Sequence, residues 1–151
     1  MDTPNLESMR DDAALDAPSL CRLLAHLDVS ALPEVGAVFP SNGPQVLPLF
    51  RGANAELLLV HWAPGQATAV GTLGDASMAV RPVSGELELL SFSGRDAEAP
   101  QLVSVEQVGV GQLAGVPGGA VHALRARTAA ITLHLCAPPV IWRDTFGTAT
   151  V

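Results

Sequence analysis

HWAPGQATAVGTLGDASMAVRPVSGELEL, running from His61 to Leu89, is the stretch that decides how this chain folds. A strand ends on Trp62 and breaks at Pro64-Gly65, a proline that presets one turn position beside a glycine that frees the next. Small residues follow, then the apolar run Met78 to Val83. The Ser84-Gly85-Glu86 turn leads into another strand, Glu86 to Phe92. Just upstream, Glu56 to Trp62 sets Leu58, Val60 and Trp62 on one face and Leu57, Leu59 and His61 on the other. Both faces are apolar, which predicts a strand covered on two sides.

Further out the same rhythm continues. Leu102 to Val108 alternates apolar and polar positions, the pattern of a half-buried strand. Gly94 to Pro100 reads as a surface loop. Gly109, Gly111, Gly115, Gly118 and Gly119 divide the chain into short segments. Val121 to Ala126 and Ala130 to Cys136 read as a hairpin around Arg127-Thr128, ended by Pro138-Pro139. Val140 to Trp142 reads as a closing strand. Toward the N-terminus, residues 1–18 form an acidic tail and residues 19–46 a helical lead-in. Ser19 caps a helix over Leu20 to Leu27, and Ser41 to Pro48 is a loop. Residues 47–151 then make an all-β unit, a closed or sandwich-like barrel with a short helical segment in front.

Composition excludes several function classes. The chain has 151 residues, 48% of them apolar and 15% charged, enough for one domain with its own core. The net charge of −7, from 8 basic and 15 acidic side chains, repels phosphate backbones, so no nucleic-acid partner is expected. No apolar run reaches the ~18 residues that would cross a bilayer. The acidic N-terminus lacks the basic start and apolar core of a signal peptide, so the expected location is cytoplasmic. Cys21 and Cys136 stand far apart and form no zinc motif.

The motifs add a resemblance. Trp62, Pro64, Gly65, Gln66, Thr68, Val83, Gly85 and Glu86 fall without a gap on the first metal-binding motif of the thiol dioxygenases, the cysteine dioxygenase-type cupins. Gly118-Gly119-Ala120-Val121-His122 resembles their second motif. The run Ile131 to Pro139 is similar to their Ser-x-His-x-Tyr strand with its proline pair. The resemblance covers about Leu47 to Pro139. It implies a cupin double-stranded β-helix, a jelly-roll barrel, built around Fe(II) held by three neutral histidines.

Carried over residue by residue, the resemblance is incomplete. His122 matches the third metal ligand, but Gly71 and Leu73 stand where the other two histidines belong, and neither can donate to a metal. Thr132 and His134 keep two members of the supporting triad, while Cys136 replaces the tyrosine. Met78 stands where some members carry a thioether-linked cysteine, and with no Tyr in the chain that crosslink is impossible. Arg51 matches the arginine that binds a substrate carboxylate, across a length difference. The expectation is a cupin that has lost its iron site and serves as a small-molecule-binding or regulatory domain. Its cofactor is none, or Fe(II) if the family activity survives; its ligand is a thiol or amino acid. The candidate catalytic residues are His122, His134, Thr132 and Cys136, and the candidate binding residues are Arg51, Trp62, Met78 and Leu73. Two alternatives stand beside it. One is an iron-dependent thiol dioxygenase with replacement ligands from Asp75 and His61. The other is a metal-free isomerase or cyclase that uses His122 or His134 as a base.

Overall fold

A computed structural model describes residues 15–32, 43–93 and 100–140. The helix α1 spans Ala17–Ala25, followed by a single 3-10 turn, Val29–Ala31. Eight strands then run β1 Gln45–Arg51, β2 Glu56–Trp62, β3 Ser77–Ser84, β4 Leu87–Ser93, β5 Gln101–Val108, β6 Ala114–Val116, β7 His122–Ala126 and β8 Ala130–Ala137. They form two antiparallel sheets, ordered β1-β2-β8-β3-β6 and β5-β4-β7. The two sheets enclose one apolar interior that holds Leu58, Val60, Trp62, Met78, Val80, Leu87, Leu89 and Leu124. No helix among the described residues is long and apolar enough to cross a membrane.

β2 is buried along its whole length, as its two apolar faces require. Leu58, Val60 and Trp62 face the interior, while Leu57 and Leu59 face a second cluster with Ala79, Leu133, Leu135 and the helix residues Leu20, Leu24 and Leu27. The helix is therefore a lid on the outer face of the larger sheet. It starts one turn earlier than the Ser19 cap implied, because the Asp16 carboxylate accepts from the Ser19 N–H at 2.9 Å and Pro18 fits the first turn. Ala17 and Pro18 thus belong to the helix rather than to the tail.

Arg81 fastens the other end of α1. It reaches from β3 and donates to the carbonyls of Leu24 and Leu27, both at 2.9 Å. A cation on the last carbonyls of a helix satisfies acceptors that have no partner within the helix. Arg81→Met, which keeps the aliphatic stem, should lower stability by about 1.5–3 kcal/mol. Urea unfolding followed by far-UV circular dichroism measures this; an unchanged midpoint would show that the helix is held by Leu20, Leu24 and Leu27 alone.

Turn chemistry fixes the β3–β4 corner. Gly85 has φ +74°, and a Cβ there would lie 2.7 Å from Ala130 Cα, so no other residue fits without moving β8.

Three sequence expectations are corrected. Val121 to Ala126 and Ala130 to Cys136 are not a hairpin: β7 pairs with β4 in one sheet, and β8 pairs with β2 and β3 in the other. The Arg127 to Ala129 turn carries the chain between sheets, and adjacency in sequence gave the misleading signal. Ser41 to Pro48 is not all loop, because β1 begins at Gln45 and tolerates Pro48 as an edge strand does. β5 is not half-buried: Gln101 to Gln107 are exposed, and only Val108 is buried. Of the closing strand, Val140 is buried but lies outside any strand, and residues 141–151 lie outside the described set. Residues 1–14 and 94–99, read as tail and loop, also lie outside it.

Candidate functional site

The pairing register sorts the interior side chains into rows. Cys136 lies opposite Glu56 on β2 and Met78 on β3, and Met78 lies opposite Val116 on β6. One row deeper, His134 lies between Leu58 and Val80; deeper again, Thr132 lies between Val60 and Pro82. Partners directly opposite in an antiparallel pair share a face. The sequence-predicted Thr132, His134, Cys136 and Met78 are thus brought to one wall of the interior, with Trp62 on the neighbouring strand.

Trp62, Thr132 and His134 form a hydrogen-bonded chain. The Trp62 Nε1–H donates to Thr132 Oγ1 at 2.8 Å, and Thr132 Oγ1 lies 2.6 Å from His134 Nε2. The threonine has one proton to give, and His134 Nε2 as the acceptor satisfies the indole N–H, the hydroxyl and Nε2 itself. His134 is fully buried, and burial first, then the charge of His122, pushes its pKa down to about 3. It is a neutral, structural imidazole. Trp62 is likewise a core side chain whose polar edge is satisfied.

Cys136 is fully buried, and its thiol is pushed up to about 12, by burial and then by Glu56. Such a thiol is not a nucleophile near neutral pH. Met78 is fully buried beside it.

His122 has different surroundings. It opens β7 and lies 5% exposed on the facing sheet, with Nδ1 3.1 Å from the Ala120 carbonyl oxygen. Nδ1–H donating there leaves the lone pair on Nε2. Burial lowers its pKa, partly opposed by that backbone hydrogen bond.

Gly71 lies directly across from His122. Its N–H donates to the His122 carbonyl at 3.0 Å, and the His122 N–H donates back at 2.9 Å. A side chain at residue 71 would emerge beside the imidazole, and a Cβ built there meets no atom within 4 Å. Leu73 packs half-buried against the interior cluster. His61 is buried on the opposite face of β2 from Trp62, and Asp75 is exposed in a turn. Among the described residues no three His, Cys, Asp or Glu side chains converge to hold a metal. The residues present do not fit a three-histidine iron centre.

Glu56 is the site residue that sequence reasoning missed. It is fully buried in the outermost interior row, with Arg51 Nη1 3.0 Å from its Oε2 and no hydrogen bond to Oε1. Burial raises its pKa, and Arg51 pulls it partly back. The signal was available: Glu56 shares the strand parity of Leu58, Val60 and Trp62. Arg51 itself is exposed, with its guanidinium engaged by Glu56.

The recess at this end of the barrel is an open groove of about 580 Å³ lined by Thr72, Gly74, Asp75, Gly118, Gly119 and Ala120. Its two walls are joined by the Gly119 N–H donating to the Gly74 carbonyl at 2.8 Å and the Gly118 N–H donating to Ser77 Oγ at 3.1 Å. None of the eight predicted site residues lines it, although Ala120 links it to His122.

No protein-family model and no curated protein matches the chain. Solved structures do. An RmlC-like cupin from Desulfovibrio desulfuricans is 18% identical, with a TM-score of 0.56 over 76% of this chain and 100% of that one. An RmlC-like cupin from Shewanella frigidimarina is 15% identical, with a TM-score of 0.55 over 76% and 91%. The cupin domain of Schizosaccharomyces pombe Cnp3 is 15% identical, with a TM-score of 0.52 over 73% and 78%. These likenesses are of fold and do not narrow it to the thiol dioxygenases. The chain has the RmlC-like cupin fold, a double-stranded β-helix with one short helix on its outer face.

Proposed function

We propose that this cupin is a small-molecule-binding or regulatory domain of thiol dioxygenase type in which the iron centre has been vacated. One observation carries the reading: Gly71 sits in a reciprocal hydrogen-bonded pair with His122, with open space where a second imidazole would stand. That pairing supports the reading that residue 71 stands where a second donor would face His122. Replacement ligands find no support in the geometry, since His61 faces away and Asp75 is exposed in its turn. The ligand class that the reading favours is a thiol or amino acid, without nucleic acid or membrane.

A metal-free isomerase or cyclase is the second reading, and it rests on His122. A base needs a pKa near the working pH. His134, at about 3 and bonded to Thr132, does not meet that requirement. His122 lies nearer the groove with Nε2 left as acceptor, and burial lowers its pKa against the opposing backbone hydrogen bond.

Oxygen uptake by the purified protein supplied with Fe(II) and cysteine tests the proposal. The expected rate is that of iron and cysteine alone. Uptake above that background that disappears in His122→Ala would overturn it.

A further inference from the structure

The outermost interior row carries a carboxylate, a thiol and a thioether side by side. It crosses the whole larger sheet: Arg51 pairs with Glu56, Glu56 with Cys136, Cys136 with Met78 and Met78 with Val116. Glu56, Cys136 and Met78 are each 0% exposed. Cross-strand partners bring their Cβ atoms to about 4.5–5.5 Å, so the thiol stands between the carboxylate on one side and the thioether on the other. The deeper polar row, Trp62, Thr132 and His134, is closed by its own hydrogen bonds. The outermost row is not.

Glu56 Oε1 is buried and accepts no hydrogen bond, and Cys136 donates to neither carboxylate oxygen. Arg51 meets the carboxylate at Oε2, at 3.0 Å, from the exposed edge. A buried polar atom without a partner calls for a donor or an ion. A water there would find one carboxylate oxygen and two sulfurs, and sulfur is a weak hydrogen-bond partner. The charge of Glu56 is felt at Cys136, where it adds to burial in raising the thiol, so the two side chains lie close together.

We propose that Cys136 and Met78 bind one copper(I) ion between them, with the Glu56 carboxylate beside it. Softness selects the metal. Thiolate and thioether sulfur prefer Cu(I), whereas a structural zinc takes four donors and this row has no fourth. Charge agrees. Binding breaks the Cys136 S–H bond, releases the proton to solvent and forms a sulfur–copper bond, with no change of oxidation state. Thiolate and Cu(I) then cancel, as Glu56 and Arg51 do, and no net charge is left in the interior. The row lies at the end of the barrel where the groove opens: Ser77, beside Met78, accepts from the groove residue Gly118. The site shares no residue with the Gly71–His122 pair and does not depend on the reading of that pair.

Anaerobic titration of the full chain with Cu(I), in competition with bicinchoninate, tests this. The wild type should take one Cu(I) per chain from the chelator. Met78→Leu, which keeps the volume, should weaken binding at least ~100-fold, and Glu56→Gln about 10-fold. Cys136→Ser should abolish it. Cys21→Ser, which removes the half-buried thiol outside the row, should leave it unchanged. X-ray absorption at the copper edge of the wild type should show two sulfur neighbours, a readout independent of how any variant folds. No copper taken from the chelator, uptake lost in Cys21→Ser, a folded Met78→Leu as tight as the wild type, or a single sulfur neighbour would each overturn the proposal.

Discussion

Gly71→His combined with Leu73→His is expected to create measurable Fe(II) binding, a gain of at least ~1,000-fold over the single His122 site, where the wild-type chain is expected to bind no better than micromolar. The geometry favours it. Residues 71 and 122 form a hydrogen-bonded pair whose side chains share a face, and a Cβ at 71 meets nothing within 4 Å. Leu73, two residues on, already packs inward. Losing its apolar contacts costs about 1–2 kcal/mol, which a folded barrel tolerates. Anaerobic titration calorimetry with Fe(II), or the visible spectrum of the Co(II) form, reads the result. A folded double variant that binds no metal would show that the pocket has diverged beyond the loss of two ligands.

The second large effect concerns stability. Thr132→Val keeps the shape of the side chain but removes the oxygen joining Trp62 Nε1 to His134 Nε2. Both groups are fully buried, so each loses a partner that water cannot replace. Two such losses cost about 2–5 kcal/mol. Thr132→Ser, which keeps the hydroxyl, should cost under about 1.5 kcal/mol for the lost methyl. Equal destabilisation by both would mean that packing, not the hydrogen-bonded chain, is what Thr132 supplies.

His134 also sets a pH dependence. Its folded pKa is about 3, below the ordinary 6.5, so below pH 6.5 the unfolded chain takes up a proton that the folded chain refuses. Stability contributed by neutral burial is full above that pH and falls by about 1.4 kcal/mol per unit as pH drops toward 3. At pH 5 the loss is about 2 kcal/mol. His122, shifted the same way, adds to it. Glu56, raised by burial, works in the opposite sense and gains protons in the folded state first. Comparing wild type with His134→Gln between pH 7 and 5 isolates the His134 part; parallel curves would contradict it.

How much of this was legible in the sequence depended on whether the signal was local. β2 was read to the residue because both of its faces are apolar and turns bound it on each side. The inward set Thr132, His134 and Cys136 followed from the register of the resemblance together with strand parity. Which strand lies beside which did not follow. β7 and β8 adjoin in sequence but belong to different sheets, and the three-residue turn between them resembles any hairpin loop. β5 misled for a related reason: alternation predicts two faces but does not say which one the barrel covers. Glu56 was overlooked because its partner in the interior row is Cys136, 80 residues away in sequence, while Arg51, its neighbour in the chain, was read as matching an arginine for a substrate carboxylate.

The central claim, a cupin barrel whose iron centre has been vacated at Gly71 and Leu73, meets its most direct test in the metal content of the protein. Protein produced with iron supplied, dialysed and measured by elemental analysis should retain far less than one iron per chain, and the trace should not change in His122→Ala. One iron per chain surviving dialysis, and lost in His122→Ala, would contradict the account.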